Sequence, residues 1–279
     1  MLINTIEDFV ECIPTASGTE WDVIKPHLET AQIDLTLNLL GSDLITALTA
    51  LQVSDISRIV ANKLLAVTAY HGAIPFVDVV QTANGFAVVS NSNLAPASKV
   101  RVERLIAWCE EQIDKLTDLL IKLVMGKAEL LAKWTLFAEF KELVNCFFVT
   151  GKDFAQFTNN TEKLLRKELL NHKAKLLVWQ ENVIAPVISK NYLNQLIDEI
   201  RSQSFTPAST NIIGNCKVVL SALVAGNTEE ANILLGKVSN LLDANLTTYT
   251  AYANSEEYAL KNAIRDANKA EHSTFFMGI

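Results

Sequence analysis

The chain has 279 residues, 49% of them hydrophobic and 20% charged, with only 10 Gly, 6 Pro and 4 Cys. This composition excludes a disordered tract, which could not offset its ordering entropy by burial, and a collagen-like or disulfide-stapled scaffold. The 24 Lys+Arg against 31 Asp+Glu give a net charge of −7, which disfavours a general phosphate-backbone binder, whose affinity comes from clustered cations.

The opening Met1-Leu2-Ile3-Asn4-Thr5-Ile6-Glu7-Asp8 has no cationic start and meets acids at once, unlike a signal peptide. No apolar run approaches the roughly 18 residues of a membrane span, and the richest, 116–131, is cut by Asp118, Lys122, Lys127 and Glu129. Cys12, Cys109, Cys146 and Cys216 are scattered without a CxxC pair and read as reduced core thiols. The expectation is a protein that is cytoplasmic at synthesis.

Asn4 or Thr5 can cap a short opening helix, with Glu7 three after Asn4 in the manner of a capping box. After a turn over Pro14 to Gly18, Thr19 is the candidate cap of a second helix. Its face is drawn through Ile24, Leu28, Ile33, Leu37 and Leu40, and Gly41 stops it. Ser42 and Ser54 are the next candidate caps, and Ile56, Ile59, Val60, Leu64 and Val67 recur at helical spacing. From Pro75 the pattern changes: β-branched and aromatic residues over 76–90 are split by Asn84-Gly85, which tolerate the positive φ of a tight hairpin turn. One β-hairpin is expected there, the alternative being an irregular loop with an Asn-Gly turn.

Ile106, Cys109, Ile113, Leu116, Leu120 and Leu123 form the seam of the longest helix. Lys127 and Lys141 interrupt its continuation, and a break is expected near Gly126, since interior Gly costs about 1 kcal/mol against Ala. Packing within one bundle is the expected use of this seam, with a coiled-coil partner as the alternative. Thr150-Gly151-Lys152-Asp153 marks the boundary between an N-terminal helical lobe with the hairpin, 1–150, and a C-terminal helical lobe, 151–279. Helices are expected over 161–178, 182–201, 212–224 and 228–246, connected through 205–210 and Gly226-Asn227, with Ser255 capping the last. The fold class is therefore all-α, a two-lobed helical bundle. The match in pattern of 54–73 with 210–226 suggests a weak internal duplication.

Motifs that carry chemistry are scarce. His27, His71, His172 and His272 lie far apart, with no HExxH helix and no zinc spacing. Gly151-Lys152 resembles the end of a phosphate loop, but Cys146 holds the first Gly position and Asp153 replaces the Ser or Thr that would reach magnesium. The adjacent pairs Glu110-Glu111, Glu229-Glu230 and Glu256-Glu257 point about 100° apart on a helix and cannot share a proton. Trp21, Trp108, Trp134 and Trp179 are assigned to core packing. No catalytic residue, metal or cofactor is expected. Lys99, Arg101 and Arg104 are the candidate partner-binding cations, because three cations at a helix start oppose the helix dipole and suggest an external partner. Pairing with Glu103 and Glu110, or solvent exposure, is the alternative.

Three segments carry a resemblance. They are Ala83-Asn84-Gly85-Phe86-Ala87-Val88-Val89-Ser90 with Ala95-Pro96-Ala97-Ser98-Lys99-Val100-Arg101-Val102, the order Trp21…Lys25-Pro26-His27-Leu28…Leu40-Gly41, and the ending Phe275-Phe276-Met277-Gly278-Ile279. In these the chain resembles a family of helical proteins from gut-bacterial prophages and their phages. The resemblance implies a place in the structural gene cluster of tailed phages. It implies a non-enzymatic structural or assembly protein, such as a head–tail connector or adaptor, located in the virion. Its partners would be further copies of itself or portal- and tail-type proteins, with neither a membrane nor sequence-specific nucleic acid. The apolar Phe275, Phe276 and Ile279 are candidate docking residues, on their own lobe or on a neighbour. The alternatives are a soluble bacterial binding or scaffolding module, and an enzyme whose site is assembled from dispersed residues.

Overall fold

The computed structural model describes residues 2–13, 16, 18–77, 79–82, 85–88 and 98–267. The described residues form a helical bundle with one short β-hairpin. They divide into two compact units: Met1–Leu143 with Thr150–Lys152 and Thr161–Glu168, and Val144–Val149 with Asp153–Asn160 and Leu169–Ile279. The division is thus interleaved over residues 144–168 rather than placed at one point near 150.

In the first unit, α1 (Ile6–Cys12) is capped by Thr5, whose Oγ1 accepts from the Asp8 N–H at 3.2 Å. Asp8, not Glu7, completes the turn by accepting from the Asn4 N–H. Helix α2 (Trp21–Leu35) starts two residues after Thr19, with Glu20 at the cap position and no side-chain cap. Its buried stripe is Ile24, Leu28, Ala31 and Leu35, so Ile33 and Leu37 are exposed instead. Ile33 lies about 140° around the helix from Leu28, outside a stripe of period 3.6.

Helix α2 runs into a five-residue π turn, Thr36–Leu40, and Gly41, at φ 75° and ψ 158°, turns the chain by 112° into α3 (Ser42–Ala50). Few residues other than glycine adopt that conformation, and there is no room for one: a Cβ at 41 would stand 2.9 Å from Phe137 Cβ. Helix α4 (Ile56–Val77) is capped by Asp55, which accepts from the Ser57 N–H at 2.8 Å, rather than by Ser54.

Helix α4 continues through Phe76 and Val77, which the sequence pattern assigns to a strand; Pro75 offers no N–H to the carbonyl four residues before it, and the helix ends two residues later. The hairpin follows as β1 (Val79–Thr82) and β2 (Gly85–Val88), antiparallel with Thr82 opposite Gly85. Gly85 is therefore the first residue of a strand rather than a central turn residue. Asn84, the other expected turn residue, lies outside the described residues.

Helix α5 (Lys99–Met125) ends at Gly126, as its sequence suggests, and α6 (Ala128–Trp134) and α7 (Phe140–Leu143) follow. The seam lysine Lys127 is accommodated by an ion pair, its Nζ 2.8 Å from both carboxylate oxygens of Asp55. Helix α4 packs on α2 and α5, and α3 on α6. Their common core includes Leu28, Leu44, Leu64, Leu120 and Trp134, whose Nε1 donates to the Leu39 carbonyl at 2.8 Å.

Helix α8 (Gly151–Thr158) has its first two residues in the first unit and the rest in the second. Helix α9 (Leu165–Trp179) passes into a π turn, Gln180–Ile184, then α10 (Ala185–Ile188) and α11 (Lys190–Ser202). The single helix expected over 182–201 is thus broken at Ser189, at φ 75°, whose side chain accepts from the Tyr192 N–H. Gln180, 3% exposed, holds a neighbouring strand of backbone by accepting from the Phe147 N–H and donating to the Asn145 carbonyl.

Helix α12 (Pro207–Val224) begins inside the expected 205–210 connector, because Thr206 and Ser209 make a capping box with proline just after it. Helix α13 (Thr228–Ala244) packs on α12, and α14 (Thr250–Ala253) and α15 (Glu256–Ala267) are the last described elements, α15 capped by Ser255. A 15-residue helix, a five-residue π turn and a residue at φ 75° thus occur twice, at Trp21–Gly41 and Leu165–Ser189, the second with α10 inserted. In both places two further helices follow, α3 and α4 or α11 and α12, but Ser54 precedes α4 while Thr210 lies inside α12, so 54–73 and 210–226 do not start at the same place in their helices.

Among the described residues no single helix is long and apolar enough to cross a membrane.

Candidate functional site

The exposed residues with the most binding character gather on the first half of α5. Ser98 makes no side-chain cap, and the first two turns carry Lys99, Arg101 and Arg104, all exposed. Lys99 lies 3.7 Å from Glu103, a solvent-exposed pair worth little. Burial on this helix begins at Cys109, whose thiol is pushed up to about 11 by desolvation. Its neighbour Trp108 points the other way and is 41% exposed, so this tryptophan is not the core residue the sequence suggests. The outward face reads Val100, Arg104, Ala107, Trp108, Glu111 and Lys115, spaced by three and four.

This face forms one wall of an open cleft of about 500 Å³, and residues 162–168 form the other. Arg104, Trp108 and Glu111 line it from α5, and Lys163, Leu164 and Lys167 face them. Two aspartates one turn apart on α5 hold the second wall. Asp114 accepts from the Arg166 N–H at 3.0 Å and the Lys167 N–H at 2.8 Å, capping the start of α9 from another helix. Asp118 accepts from the Lys152 N–H at 2.9 Å, in the first turn of α8, and pairs with the Arg166 guanidinium at 3.3 Å. Burial pushes the Asp118 carboxyl above the usual carboxylate range, opposed by the Lys152 N–H and then by Arg166. Gly151 is what lets the segments meet, since a Cβ there would run into the backbone of Leu165 and Arg166. Paired buried charges and capped helix starts make a rigid wall.

The structure places Arg104 in the cleft, while Lys99 and Arg101 stay on the exposed surface of α5. Phe275, Phe276 and Ile279 lie outside the described residues. Sequence reasoning missed Trp108, Lys163, Lys167 and both capping aspartates. Asp114 and Asp118, four apart beside an apolar seam, were the legible signal, as were two cations, Arg166-Lys167, opening a helix against its dipole.

The other titratable clusters have structural partners. Lys217 pairs with Asp153 at 2.5 Å and lies over the rings of Phe148 and Phe157, 5.5 and 5.4 Å from their centroids. Lys261 binds Asp243 at 2.6 Å and Ser239 at 2.7 Å, and Tyr252 donates to the same aspartate at 2.9 Å. Burial pushes the Cys12 thiol to about 11 and the Cys216 thiol to about 12. Thiols held that high contain little thiolate, which is the reactive form. Among the described residues no group of three or more His, Cys, Asp or Glu is placed to hold a metal ion.

Neither the curated proteins nor the solved structures contain a match to this chain. The profile of a family of unknown function, DUF6712, matches residues 24–136 and 209–262. The matched parts run from α2 to the end of α6, including all of α5 with Trp108, Asp114 and Asp118, and again from α12 into α15. With more than half of its length matched, the chain belongs to the DUF6712 family.

Proposed function

We propose that this chain is a docking component of a larger protein assembly, without chemistry of its own, and that the assembly is the head–tail region of a tailed phage particle. The cleft beside Trp108 carries the first part. A half-exposed tryptophan next to small Ala107 and ringed by charges of both signs is the composition of a protein-binding hot spot with a polar rim. The carboxylates near it, half-buried Asp114 and buried Asp118, are committed to holding backbone at the starts of two helices. Such groups act as scaffold, and the rigid wall they build is what a docking surface needs. The phage setting rests on the resemblance of the segments at 83–102, 21–41 and 275–279.

The test is co-expression with the capsid, portal and tail genes of its own genomic neighbourhood, followed by density-gradient purification of particles. The expected result is that the protein sediments with particles and that Trp108→Ala reduces its share. A protein that stays wholly in the light fractions, with complete particles formed beside it, overturns the reading.

A further inference from the structure

We infer that the cleft beside Trp108 takes a short acidic segment of another protein, in which an aromatic or long aliphatic side chain is flanked by carboxylates. The inference deepens the docking reading above and rests on it. The apolar part of the site comes from both walls. Trp108 and Ala107 stand on α5, and Leu164 faces them. A cleft of about 500 Å³ falls in the ~300–1,000 Å³ range of small binding sites, so it accommodates one large side chain and short flanks.

The charges lining the cleft differ in what they are already bound to. Glu111 accepts from Lys115 of its own helix at 2.6 Å, and its carboxyl is held below the usual range first by that bond and further by Lys163 across the cleft. Glu162 and Glu168 both have partners within the chain. Glu110 remains, and at 3.6 residues per turn it projects about 160° round α5 from Trp108, at the far rim.

The cations are less committed. Arg104 projects only about 40° round the helix from Trp108. Arg104, Lys163 and Lys167 are all exposed, and among the described residues none of the three has a carboxylate within ion-pair distance. Asp114 holds the Lys167 N–H, so the stem of Lys167 starts from a fixed place while its ammonium stays in water. The charge still available around Trp108 is therefore positive, and both walls supply it. A carboxylate on either side of a bound anchor would meet Arg104 on one wall and Lys163 or Lys167 on the other. Residues two apart share a face of an extended peptide, so the matching pattern is acid, any residue, aromatic, any residue, acid.

Nucleic acid suits this cleft less well. A phosphate backbone carries charge at every residue, and the glutamates on both walls would repel it. A peptide can place two carboxylates where the cations are and nothing charged elsewhere.

The probe is a fluorescein-labelled peptide, Ser-Glu-Ser-Phe-Ser-Glu-Ser, titrated with the full-length chain and read by anisotropy. Beside it run the same peptide with Lys for both Glu, and with Ala for Phe. The acidic peptide is expected to bind, less tightly as salt is added, and both altered peptides at least about tenfold more weakly. Arg104→Glu combined with Lys167→Glu is expected to reverse the preference, so that the Lys peptide binds about tenfold tighter than the Glu one. An unfolded variant would prefer neither, and circular dichroism checks the fold.

Equal binding of the Glu and Lys peptides overturns the inference, as does an acidic peptide left unbound at about 1 mM protein. A double variant that keeps the natural preference does so too, since the acidic peptide then binds elsewhere. A single-stranded oligonucleotide bound more tightly than the acidic peptide also overturns it and gives the cleft to nucleic acid. If the acidic peptide fails but Trp108→Ala still lowers the chain's share on particles, this inference falls and the docking reading stands. If the peptide binds in the cleft but the chain never joins particles, the ligand chemistry stands and the particle reading falls.

Discussion

Replacing Gly41 with Ala tests the corner between α2 and α3. Two penalties add there. A residue with a Cβ at φ 75° and ψ 158° is held in a region used almost only by glycine, which costs about 1–3 kcal/mol. The new methyl would also stand 2.9 Å from Phe137 Cβ and 3.0 Å from Cγ and Cδ2. Phe137 cannot rotate its Cβ away, so the backbone must shift, an overpacking cost of about 1–3 kcal/mol. The total, about 2–6 kcal/mol, is a large share of the 5–15 kcal/mol typical of a domain.

Urea unfolding followed by tryptophan emission reads this out, in a Trp179→Phe background so that only Trp21, Trp108 and Trp134 report, all in the first unit. Trp134 is 1% exposed and hydrogen-bonded to Leu39, two residues before the corner, so its emission reports on the perturbed site. With a urea slope of about 2 kcal/mol per molar, the midpoint is expected to fall by ~1 M or more. Gly72→Ala is the internal control. Gly72 lies within α4, where a Cβ would meet only His27 Nδ1 at 4.0 Å, and alanine there is expected to stabilise by about 0.5–1 kcal/mol. A Gly41→Ala midpoint equal to that of the natural chain, with Gly72→Ala shifted upward, would refute the argument.

The remaining expectations concern single partners. Asp114→Ala leaves the Arg166 and Lys167 N–H groups without their acceptor and is expected to cost about 1–2 kcal/mol, with faster amide exchange at 166–167. No change in exchange at those amides would count against it. Trp134→Phe strands the Leu39 carbonyl and leaves a small void, and an expected loss of about 1–3 kcal/mol is measurable by the same urea titration. Asp55 is held below the usual carboxylate range, first by its hydrogen bond from Lys127 and then by the Ser57 N–H. Its folded value is depressed, so its contribution is present above the ordinary value and is lost as the pH falls through the folded one. Asp55→Asn should remove that contribution near neutrality, lowering stability there, and flatten the acid limb so that the two profiles converge at low pH.

The helical elements were largely legible because helical spacing is a local property. The break at Gly126, the cap at Ser255 and the helix through Ile56 to Val67 can all be read from neighbours in the chain. What escaped depended on residues far away in sequence. A π turn leaves no simple signature, so the break at Ser189 was invisible and 182–201 looked continuous. Trp108 counts as core by its type, and only the packing of α5 shows that Cys109 takes the inside place. The cleft was illegible for the same reason: its second wall stands more than 50 residues on, and the link between the walls is made by backbone N–H groups, which every sequence has. Arg104 was picked out by an argument about helix charge, and it is the one of the three candidate cations that lines the cleft.

The interleaving of the two units also has a consequence for the nascent chain. The first unit takes Thr150–Lys152 and Thr161–Glu168 as well as Met1–Leu143. Asp114 and Asp118 therefore wait, while translation proceeds, for amides that are some 35 to 50 residues downstream. At about 5–20 residues per second this delay lasts a few seconds. During it the ribosome has delivered the whole of α5 and α6 but not the segment that neutralises Asp118. An expression fragment ended at residue 150 would freeze the molecule at that stage, with two uncapped carboxylates on α5 and no second wall. One ended beyond Glu168 would supply the missing groups but carry a first turn of α9 with no helix behind it. The sequence thus offers no clean point at which to cut, and a stable fragment of this protein would have to be built by rejoining separated segments rather than by truncation.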